Sequence, residues 1–448
     1  MSFLVENMRK TAALATPIAL GSVSQIAMGL IDSAMVGRVG TVPLAASAIG
    51  GSIFGFFFVV GMGLLSSLSV YISEAKGAGR HSEASLWLSN GFSLALAYVF
   101  GALLVIGLLL SQLQFLGAPP DVVKEARPFL LLMGISLLPA MLWQCLKQYA
   151  EALGHPWLPM GVMVGCVVFN TAMNWVLIYG HLGFPALGLT GSGISTLAAR
   201  CLGTLLLALI LCTRLPRALR PNLLPRLDKT HQKDLLRLGI PGSGQLFFEV
   251  GAFSAAAIMM GWLGSTALAA HQIALSCANA TFMIPVGIGL ATGMRIAQAQ
   301  GAGEHAHLRS ISLAGLVTAW GFMGVASLLL LLIPGPIAAA FTPEPSVRII
   351  ACQLLMVAAL FQLFDGTQVV AACALRGLRD VRIPTLVTII AYWGLAIPCS
   401  YFLGVRLHNP AGIWLGLALG LGFAAVFLAL RLLRATKPRW SGPGLQPR

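Results

Sequence analysis

Three acidic residues, Asp32, Glu249 and Asp365, lie deep within long apolar stretches of this 448-residue chain. A charged side chain at the depth of a bilayer costs about 3 kcal/mol on insertion scales, so such residues usually serve an ion path or a proton relay. The other eleven of the 14 acids lie at the ends of apolar stretches, in polar loops or near the termini. These three carboxyls are therefore the first candidates for chemistry. A neutral, hydrogen-bonded packing role is the alternative for each of them.

Glu249 and Asp365 are both in the second half of the chain, and we expect them to converge. Each lies roughly 9 to 14 residues from an end of its predicted helix, a depth of about 14 to 21 Å at 1.5 Å per residue. Two carboxylates in an apolar environment disfavour each other's charge. The pair is therefore expected to hold a proton or to share a sodium ion, and either occupant removes charge. Asp32 is expected to be a second titrating group.

Two asparagines and one arginine are the notable polar residues of the first half. Asn170 and Asn174 are four residues apart, so they share one helix face, and beside Asp32 they would form a cation-lining patch. A hydrogen bond that packs two helices is the equal alternative. Arg200 lies within an apolar stretch, where it either neutralises an acid of the first half or reaches toward the membrane surface.

In the second half, His271 is a candidate proton carrier, although a lone histidine in an apolar helix is more often a packing residue. Flexible thioethers and aromatic faces near the acids provide a wall that can repack around unrelated compounds. Ordinary packing is the alternative for any one of them. The candidate substrate-lining residues are Gln25, Met28, Phe247, Phe248, Met259, Gln272, Met283, Phe361 and Phe364.

The composition defines the class of protein that must hold these residues. Charged residues make up 9% of the chain, apolar residues make up 57%, and the mean hydropathy is +0.86, which indicates an integral membrane protein. The net charge is +14, and the basic residues fall between the hydrophobic spans. There they orient the protein in the membrane and do not indicate a nucleic-acid partner. The eight cysteines and the absence of nucleotide and metal motifs predict no cofactor and no structural metal.

Twelve apolar stretches are long enough to cross a bilayer, which takes roughly 20 residues. The first half contains six, at 11–36, 44–72, 84–110, 128–150, 158–179 and 187–213. The second half contains six more, at 235–262, 267–298, 310–333, 347–374, 384–406 and 411–434. The sequence thus predicts an all-α integral membrane protein with twelve transmembrane helices.

Residues 238–303 repeat residues 15–79 at a constant offset, since 241 − 17 = 224. Pro17 pairs with Pro241 at this offset, and the Gly-Ala-Gly run at 77–79 pairs with the run at 301–303. Internal duplication of an apolar unit is typical of secondary transporters, whose sites lie between the repeats. The predicted domains are two pseudo-symmetric six-helix lobes, a basic linker and a disordered tail, at 1–213, 238–434, 214–237 and 435–448 respectively.

The positive-inside rule predicts the orientation of these spans. Placing the N-terminus in the cytoplasm puts 22 of the 28 Lys and Arg residues on that side. Five face the other side, and Arg200 remains in a span. We therefore expect both termini, the linker and the tail to be cytoplasmic in a multi-pass protein of a bacterial-type inner membrane, in contact with its lipid bilayer.

Four short runs carry a resemblance to a known family: AMGLID at 27–32, FFEV at 247–250, AHQIAL at 270–275, and FDGTQV at 364–369, the last followed by LRG at 375–377. With the twelve spans and the duplication, the chain resembles the multidrug and toxic compound extrusion (MATE) family in its NorM-type branch. The resemblance implies export of amphipathic, usually cationic drugs against inward sodium or protons, and two lobes around a V-shaped cleft.

By the same resemblance, Glu249 and Asp365 correspond to the cation-site acids of the C-terminal lobe. Asp32, Asn170 and Asn174 correspond to the polar cluster of the N-terminal lobe. Arg200 departs from the family pattern, so the charge of that cluster is open.

The expected function is therefore sodium- or proton-coupled antiport of small amphipathic compounds by a monomeric transporter that is not an enzyme. A flippase of lipid-linked or bulky polar intermediates shares the superfamily fold and is the first alternative, although a cluster of bases is the lining we would expect for it. An intramembrane enzyme is the second alternative, and the chain contains no catalytic motif that favours it. The residues do not identify the drug or the coupling ion.

Overall fold

The structure is a computed structural model that describes residues 2–112 and 119–437. Its regular structure is helical, and no β-strand occurs in this part of the chain. Twelve helical segments are long and apolar enough to cross a membrane, which confirms the predicted fold class. Most of the tail predicted at 435–448 lies outside the described residues.

Among the described residues, the first half contains seven α-helices, of which the second and third together form one span, Thr41–Gly77. They are α1 (Ser2–Gly37), α2 (Thr41–Leu65), α3 (Ser67–Gly77), α4 (His81–Gln112), α5 (Pro120–Ala152), α6 (Trp157–Tyr179) and α7 (Gly188–Arg214).

The described part of the second half contains eight α-helices, which provide six more spans. They are α8 (Lys229–Trp262), α9 (Ser265–Gly301), α10 (Leu308–Leu332), α11 (Pro334–Phe341), α12 (Pro345–Gly377), α13 (Arg382–Ile389), α14 (Ile397–Ser400) and α15 (Pro410–Ala435). Two π-helical segments, Ile390–Ala396 and Tyr401–Arg406, join α13 and α14 into the single span Arg382–Arg406.

Several helices are longer than the apolar stretches that predicted them. α1 begins at Ser2, well before residue 11, because backbone hydrogen bonding continues past the apolar run. The Glu6–Lys10 ion pair, four residues apart at 2.6 Å, supports these polar turns. The short helix α11 was not predicted. It begins at Pro334, and the first turn of a helix tolerates proline because the missing N–H has no partner there.

The duplicated sequence folds into the same local structure twice. Gly79 and Gly303, which are 224 positions apart, have φ angles of 72° and 73° after α3 and α9. The amide of the next residue bonds back to the carbonyl five positions earlier in both copies, Arg80 to Ala75 and Glu304 to Ala299, each at 2.8 Å. This left-handed ending favours glycine, because a Cβ is strained there.

The described residues divide into two compact units, each with its own internal packing. Residues Pro17–Lys76 and Arg80–Phe247 form one unit, which we call the N-unit, and the remaining described residues form the C-unit. In the N-unit, α5 packs against α2, α4 and α7, and α7 packs in turn against α6. In the C-unit, α12 packs against α9, α10 and α15.

Small residues allow α9 and α12 to approach closely in the C-unit. A Cβ added at Gly377 would lie 2.4 Å from the carbonyl oxygen of Gly293, and one at Gly293 would lie 2.5 Å from that of Cys373. Neither position therefore has room for a side chain unless the backbone moves. Such contacts are typical of helix pairs in membranes, where packing replaces the hydrophobic effect.

The connecting segment, residues 215–228, follows a fixed path along the N-unit. Ser89 Oγ donates to the Asn222 carbonyl at 3.0 Å, and Ser93 Oγ donates to the Arg226 carbonyl at 2.7 Å. Further bonds join Ser85 and Asn90 of α4, and Tyr149 of α5, to residues 222, 228 and 219. Side chains of α4 and α5 thus satisfy backbone groups of a segment whose only helical turn in the structure is Arg217–Leu219.

Candidate functional sites

The first candidate site lies in the N-unit around Asp32 of α1. Asn174 Nδ2 donates to Asp32 Oδ1 at 2.5 Å, and Thr196 Oγ1 donates to Asp32 Oδ2 at 3.2 Å. The same Asn174 amide donates to Asn170 Oδ1 at 3.2 Å, one turn along α6. Three helices, α1, α6 and α7, therefore each contribute a polar side chain to one cluster.

Both asparagines of this cluster are fully buried. Asn174 Oδ1 and Asn170 Nδ2 have no hydrogen-bond partner among the described residues. Leaving a buried polar atom without a partner costs roughly 1–3 kcal/mol, so these atoms favour a further polar occupant. A free amide oxygen beside a carboxylate is a suitable ligand for a small cation, and a proton on Asp32 is the other way to remove its charge.

Asp32 also lines a cavity of about 590 Å³ within the N-unit. This volume is in the range of small-molecule sites, about 300–1,000 Å³. Its lining is mostly apolar and holds two charged side chains, Asp32 and Arg200. The predicted residues Gln25 and Met28 also line it. Aromatic and sulfur-containing side chains form much of the rest, namely Phe54, Phe58, Phe129, Met133, Trp143 and Met163.

Arg200 is held in this cavity by two contacts. Its Nη1 donates to Ser136 Oγ of α5 at 2.5 Å, and its guanidinium carbon lies 4.1 Å from the centre of the Phe54 ring. Asp32 interacts with it electrostatically, yet Arg200 forms no ion pair with any described residue. The side chain therefore lines the cavity of the N-unit within electrostatic reach of Asp32.

The second candidate site lies in the C-unit around Glu249 of α8 and Asp365 of α12. The two carboxyls are close enough for direct electrostatic repulsion, so the structure brings together the two acids that were expected to converge. Asp365 is only 5% exposed. Tyr392 lies near Glu249, and its hydroxyl donates to Gln368 Oε1 at 3.0 Å.

Tyr392 belongs to the π-helical segment Ile390–Ala396, and π turns inside helices often occur at functional sites. Arg376 adds a positive charge near Glu249. The site therefore offers two carboxyls, a phenol and an amide. A donor set of this kind can hold a proton or one small cation, because either occupant relieves the repulsion between the carboxyls.

The other predicted residues of the C-unit occupy varied places. His271 is fully buried, and its Nδ1 accepts a hydrogen bond from Trp414 Nε1 at 3.1 Å, which fits a packing role. Its Nε2 has no partner among the described residues. Met259 and Phe361 lie in the hydrophobic core. Gln272 is exposed, Met283 is half-buried, and Phe364 packs beside Gly422.

The predicted residues Phe247 and Phe248 lie on either side of the boundary between the two units. In the N-unit, the Phe247 ring packs edge-on against Phe56 with centroids 5.8 Å apart. In the C-unit, the Phe248 carbonyl accepts a bond from Trp393 Nε1 at 2.9 Å.

Two residues of these sites were missed in the sequence. Thr196 lies four residues before Arg200, so both share one face of α7, and a polar residue one turn from a buried base was an available signal. Tyr392 carries a polar group in the middle of a span, but tyrosine is also common at membrane interfaces. Its pairing with Glu249 therefore required the structure.

The described residues form twelve spans that follow a duplicated sequence, with a carboxyl site inside each unit, and this arrangement is typical of a secondary transporter. Residues 17–176 and 241–402 match the MatE family, in two blocks that follow the duplication. The chain belongs to the MatE family.

Two curated relatives agree with this assignment. The probable multidrug resistance protein NorM of Brucella suis biovar 1 is 34% identical over 432 residues, which cover 94% of this chain and 92% of the relative. The multidrug resistance protein NorM of Photobacterium profundum is 31% identical over 436 residues, which cover 95% of this chain and 94% of the relative.

Among solved structures, the Vibrio cholerae MATE transporter VcmN in the bent form matches with a TM-score of 0.86. The match covers 97% of this chain and 99% of that chain at 20% sequence identity, so it shows the shared fold alone.

Proposed function

We propose that this protein is a cation-coupled antiporter that exports amphipathic, often cationic compounds across a bacterial-type inner membrane by alternating access. The observation that carries this proposal is the pair Glu249 and Asp365, two carboxyls that repel each other, one half-buried and the other buried. The curated relatives named above are called multidrug resistance proteins, which supports drugs as the exported compounds.

The coupling follows from the charge of this pair. A sodium ion or a proton neutralises the carboxyls and stabilises the conformation in which they are buried. A cationic substrate favours the opposite-facing conformation, and two ligands that stabilise opposite states exchange across the membrane. Asp32 is the second titrating group, and it responds to the substrate or to the occupant of the C-unit.

The distribution of basic residues supports the proposed orientation. The connecting segment and the first turns of α8 carry Arg217, Arg220, Arg226, Lys229 and Lys233. Positive charge beside a span favours the cytoplasmic side, where anionic lipid attracts it. We therefore place this segment and both termini in the cytoplasm of a monomeric, multi-pass protein.

The test is transport by Glu249→Gln in proteoliposomes. Glutamine keeps the size and hydrogen bonding of glutamate but removes the titration, so efflux driven by an ion gradient should fall to the background of empty vesicles. Ethidium efflux is measured with sodium and pH gradients imposed separately, which also identifies the coupling ion.

The matched control is Glu304→Gln, the same exchange at an exposed acid after α9, and it should transport as the unsubstituted protein does. Normal efflux by Glu249→Gln at equal protein abundance would refute the coupling role.

A further inference from the structure

A long apolar groove lies between α12 and α15 on the surface of the C-unit. Its volume is about 390 Å³, and every residue that lines it is apolar. Along α15 the lining runs from Leu415 to Phe427, a rise of about 18 Å at 1.5 Å per residue. The hydrocarbon of one bilayer leaflet is about 15 Å deep, half of the roughly 30 Å core. The groove therefore has about the length of the hydrocarbon part of one leaflet.

The groove has a small floor and aromatic sides. Gly422 forms part of the floor, and a Cβ added there would lie 3.3 Å from the ring of Phe364 on α12. On α15, the rings of Phe423 and Phe427 pack together with centroids 4.3 Å apart. Leu419 and Phe427 are 54% and 50% exposed, and lipid tails are as apolar as such side chains. The groove is long for its volume, so it suits one flexible alkyl chain better than a broad ring system.

Two arginines continue the line of the groove at one end. Arg431 and Arg434 follow Phe427 by four and seven residues, so they share its helix face. They lie about 6 and 10 Å further along α15 at 1.5 Å per residue. The apolar lining thus ends about one turn before the charged residues begin. A phospholipid has the same order of parts, with an alkyl chain followed by a phosphate.

The contacts of Arg431 leave part of its guanidinium available to such a phosphate. Its Nε donates to Asp380 Oδ2 at 2.5 Å, and its two Nη groups form no hydrogen bond within the part of the chain that the structure describes. Asp380 thus orients the planar guanidinium, whose remaining N–H groups match a phosphate. Arg434 is exposed and forms no ion pair with any described residue. Two bases and one acid leave a net positive charge at this end of the groove.

We propose that this groove binds an anionic phospholipid, with one acyl chain along the lining from Leu415 to Phe427 and the phosphate at Arg431 and Arg434. The apolar lining matches the chain, and the net positive charge matches the phosphate. A zwitterionic head group carries its own cation beside the phosphate, so it meets the two arginines less favourably. The ligand is a component of the membrane and not an exported compound, so the inference does not depend on what the protein transports.

The first measurement uses the unsubstituted protein. The delipidated full chain in detergent is titrated with dioleoyl phosphatidylglycerol or with dioleoyl phosphatidylcholine, which have the same chains and different head groups. Native mass spectrometry counts the bound lipid. The anionic lipid should bind about tenfold more tightly, because each base near an anionic head group contributes about fivefold and Asp380 offsets part of this. It should also raise the midpoint of thermal unfolding more, because a ligand stabilises the state that it binds.

Arg431→Gln combined with Arg434→Gln removes both charges, so the preference for the anionic lipid should disappear. The matched control is Arg214→Gln combined with Arg217→Gln at the end of α7, where both arginines are exposed. This control loses the same charge near the C-terminus of a span, where bases also interact favourably with the helix dipole. It should keep the preference.

A second pair of variants tests the acyl chain. Leu419→Trp places a large ring in the groove and leaves both arginines in place, so it should weaken binding of phosphatidylglycerol about tenfold by excluding part of the chain. The control is Leu328→Trp of α10, which is equally exposed at 54% and does not line the groove. It should bind the lipid as the unsubstituted protein does.

Equal affinity of the unsubstituted protein for the two lipids would overturn the proposal, and this result does not depend on whether a variant folds. An equal loss of preference in the control at the end of α7 would contradict it too, because surface charge in general would then be the cause. Competition by glycerophosphoglycerol, the head group without chains, would reduce the groove to a free-anion site. Displacement of the lipid by ethidium, or dimers of the chain in place of bound lipid, would assign the groove to another occupant.

Discussion

At the scale of single residues, the cluster around Asp32 shows how a carboxyl is held inside an apolar helix bundle. Asn174 and Thr196 each donate to one of its oxygens, and Arg200 adds a positive charge from the next turn of α7. These three groups favour the ionised carboxyl, whereas its removal from water disfavours it. Asp32 is therefore set to respond to a charged ligand in the cavity.

Replacement of Asp32 by Asn should reduce dye efflux about tenfold, and less than Glu249→Gln does. The amide keeps the size of the side chain but loses one acceptor and the charge that balances Arg200, and a bond to a charged group contributes about 1.5–3 kcal/mol. Efflux from proteoliposomes measures this effect. Asp121→Asn, at an exposed acid in the first turn of α5, is the control and should be fully active. Full activity of Asp32→Asn would confine the coupling to the C-unit.

The sequence identified the buried acids but only part of what surrounds them. An acid within an apolar stretch can be recognised from the sequence alone, because the free-energy cost of placing it in the membrane does not depend on which residues surround it. The partners of that acid come from other helices, and helix rotation decides which side chains meet. Asn174 was predictable from its spacing to Asn170, whereas Tyr392 of the second site was not, because a π turn sets its direction.

At the scale of helices, close contacts between α9 and α12 determine the packing of the C-unit. Gly293 and Gly377 allow the two backbones to approach closely. A Cβ added at either glycine would lie against a carbonyl oxygen of the other helix. Lipid gives no hydrophobic force between helices, so this contact contributes through van der Waals packing.

Gly377→Ala should therefore destabilise the protein. The added methyl group would lie 2.4 Å from the Gly293 oxygen, and overpacking of this kind costs about 1–3 kcal/mol. The midpoint of thermal unfolding in detergent should fall by several degrees. Gly101→Ala in α4 is the control, since a Cβ there meets nothing within 4 Å, and alanine should be neutral or stabilising in that helix. An unchanged midpoint for Gly377→Ala would contradict the proposed role of the contact.

The number of spans was predictable, but their internal irregularities were not. The length of the apolar stretches predicts how many times the chain crosses a bilayer, and the described residues contain the predicted twelve spans. It does not report where hydrogen bonding changes from the α to the π pattern, as it does within Arg382–Arg406. Nor does it mark α11, whose eight residues are too few to cross.

At the scale of the whole molecule, the duplication is seen both in the sequence and in the local structure. The equal turns at Gly79 and Gly303 show that each copy carries its own signal to end a helix. The two lobes predicted from the repeat and the orientation predicted from the charges stay predictions. The orientation can be tested directly.

Single cysteines at two exposed positions should report opposite sides of the membrane. In a background without the eight native cysteines, Phe184→Cys lies between α6 and α7 and is expected outside, whereas Leu224→Cys of the connecting segment is expected in the cytoplasm. An impermeant maleimide should label Phe184→Cys in intact cells and Leu224→Cys only after permeabilisation. Labelling of Leu224→Cys in intact cells would reverse the topology.

The fixed path of the connecting segment has a consequence for recombination. The segment that joins the two copies is hydrogen-bonded to serines and an asparagine of α4 and to Tyr149 of α5. Its length and the orientation of its backbone groups therefore fit the positions of those side chains. A chimera that takes one repeat from a relative would keep this joint intact only if α4, α5 and residues 215–228 came from the same parent. A crossover placed after Lys229 keeps these partners together, and one placed between α7 and Asn222 separates the α4 side chains from the backbone groups that they bind.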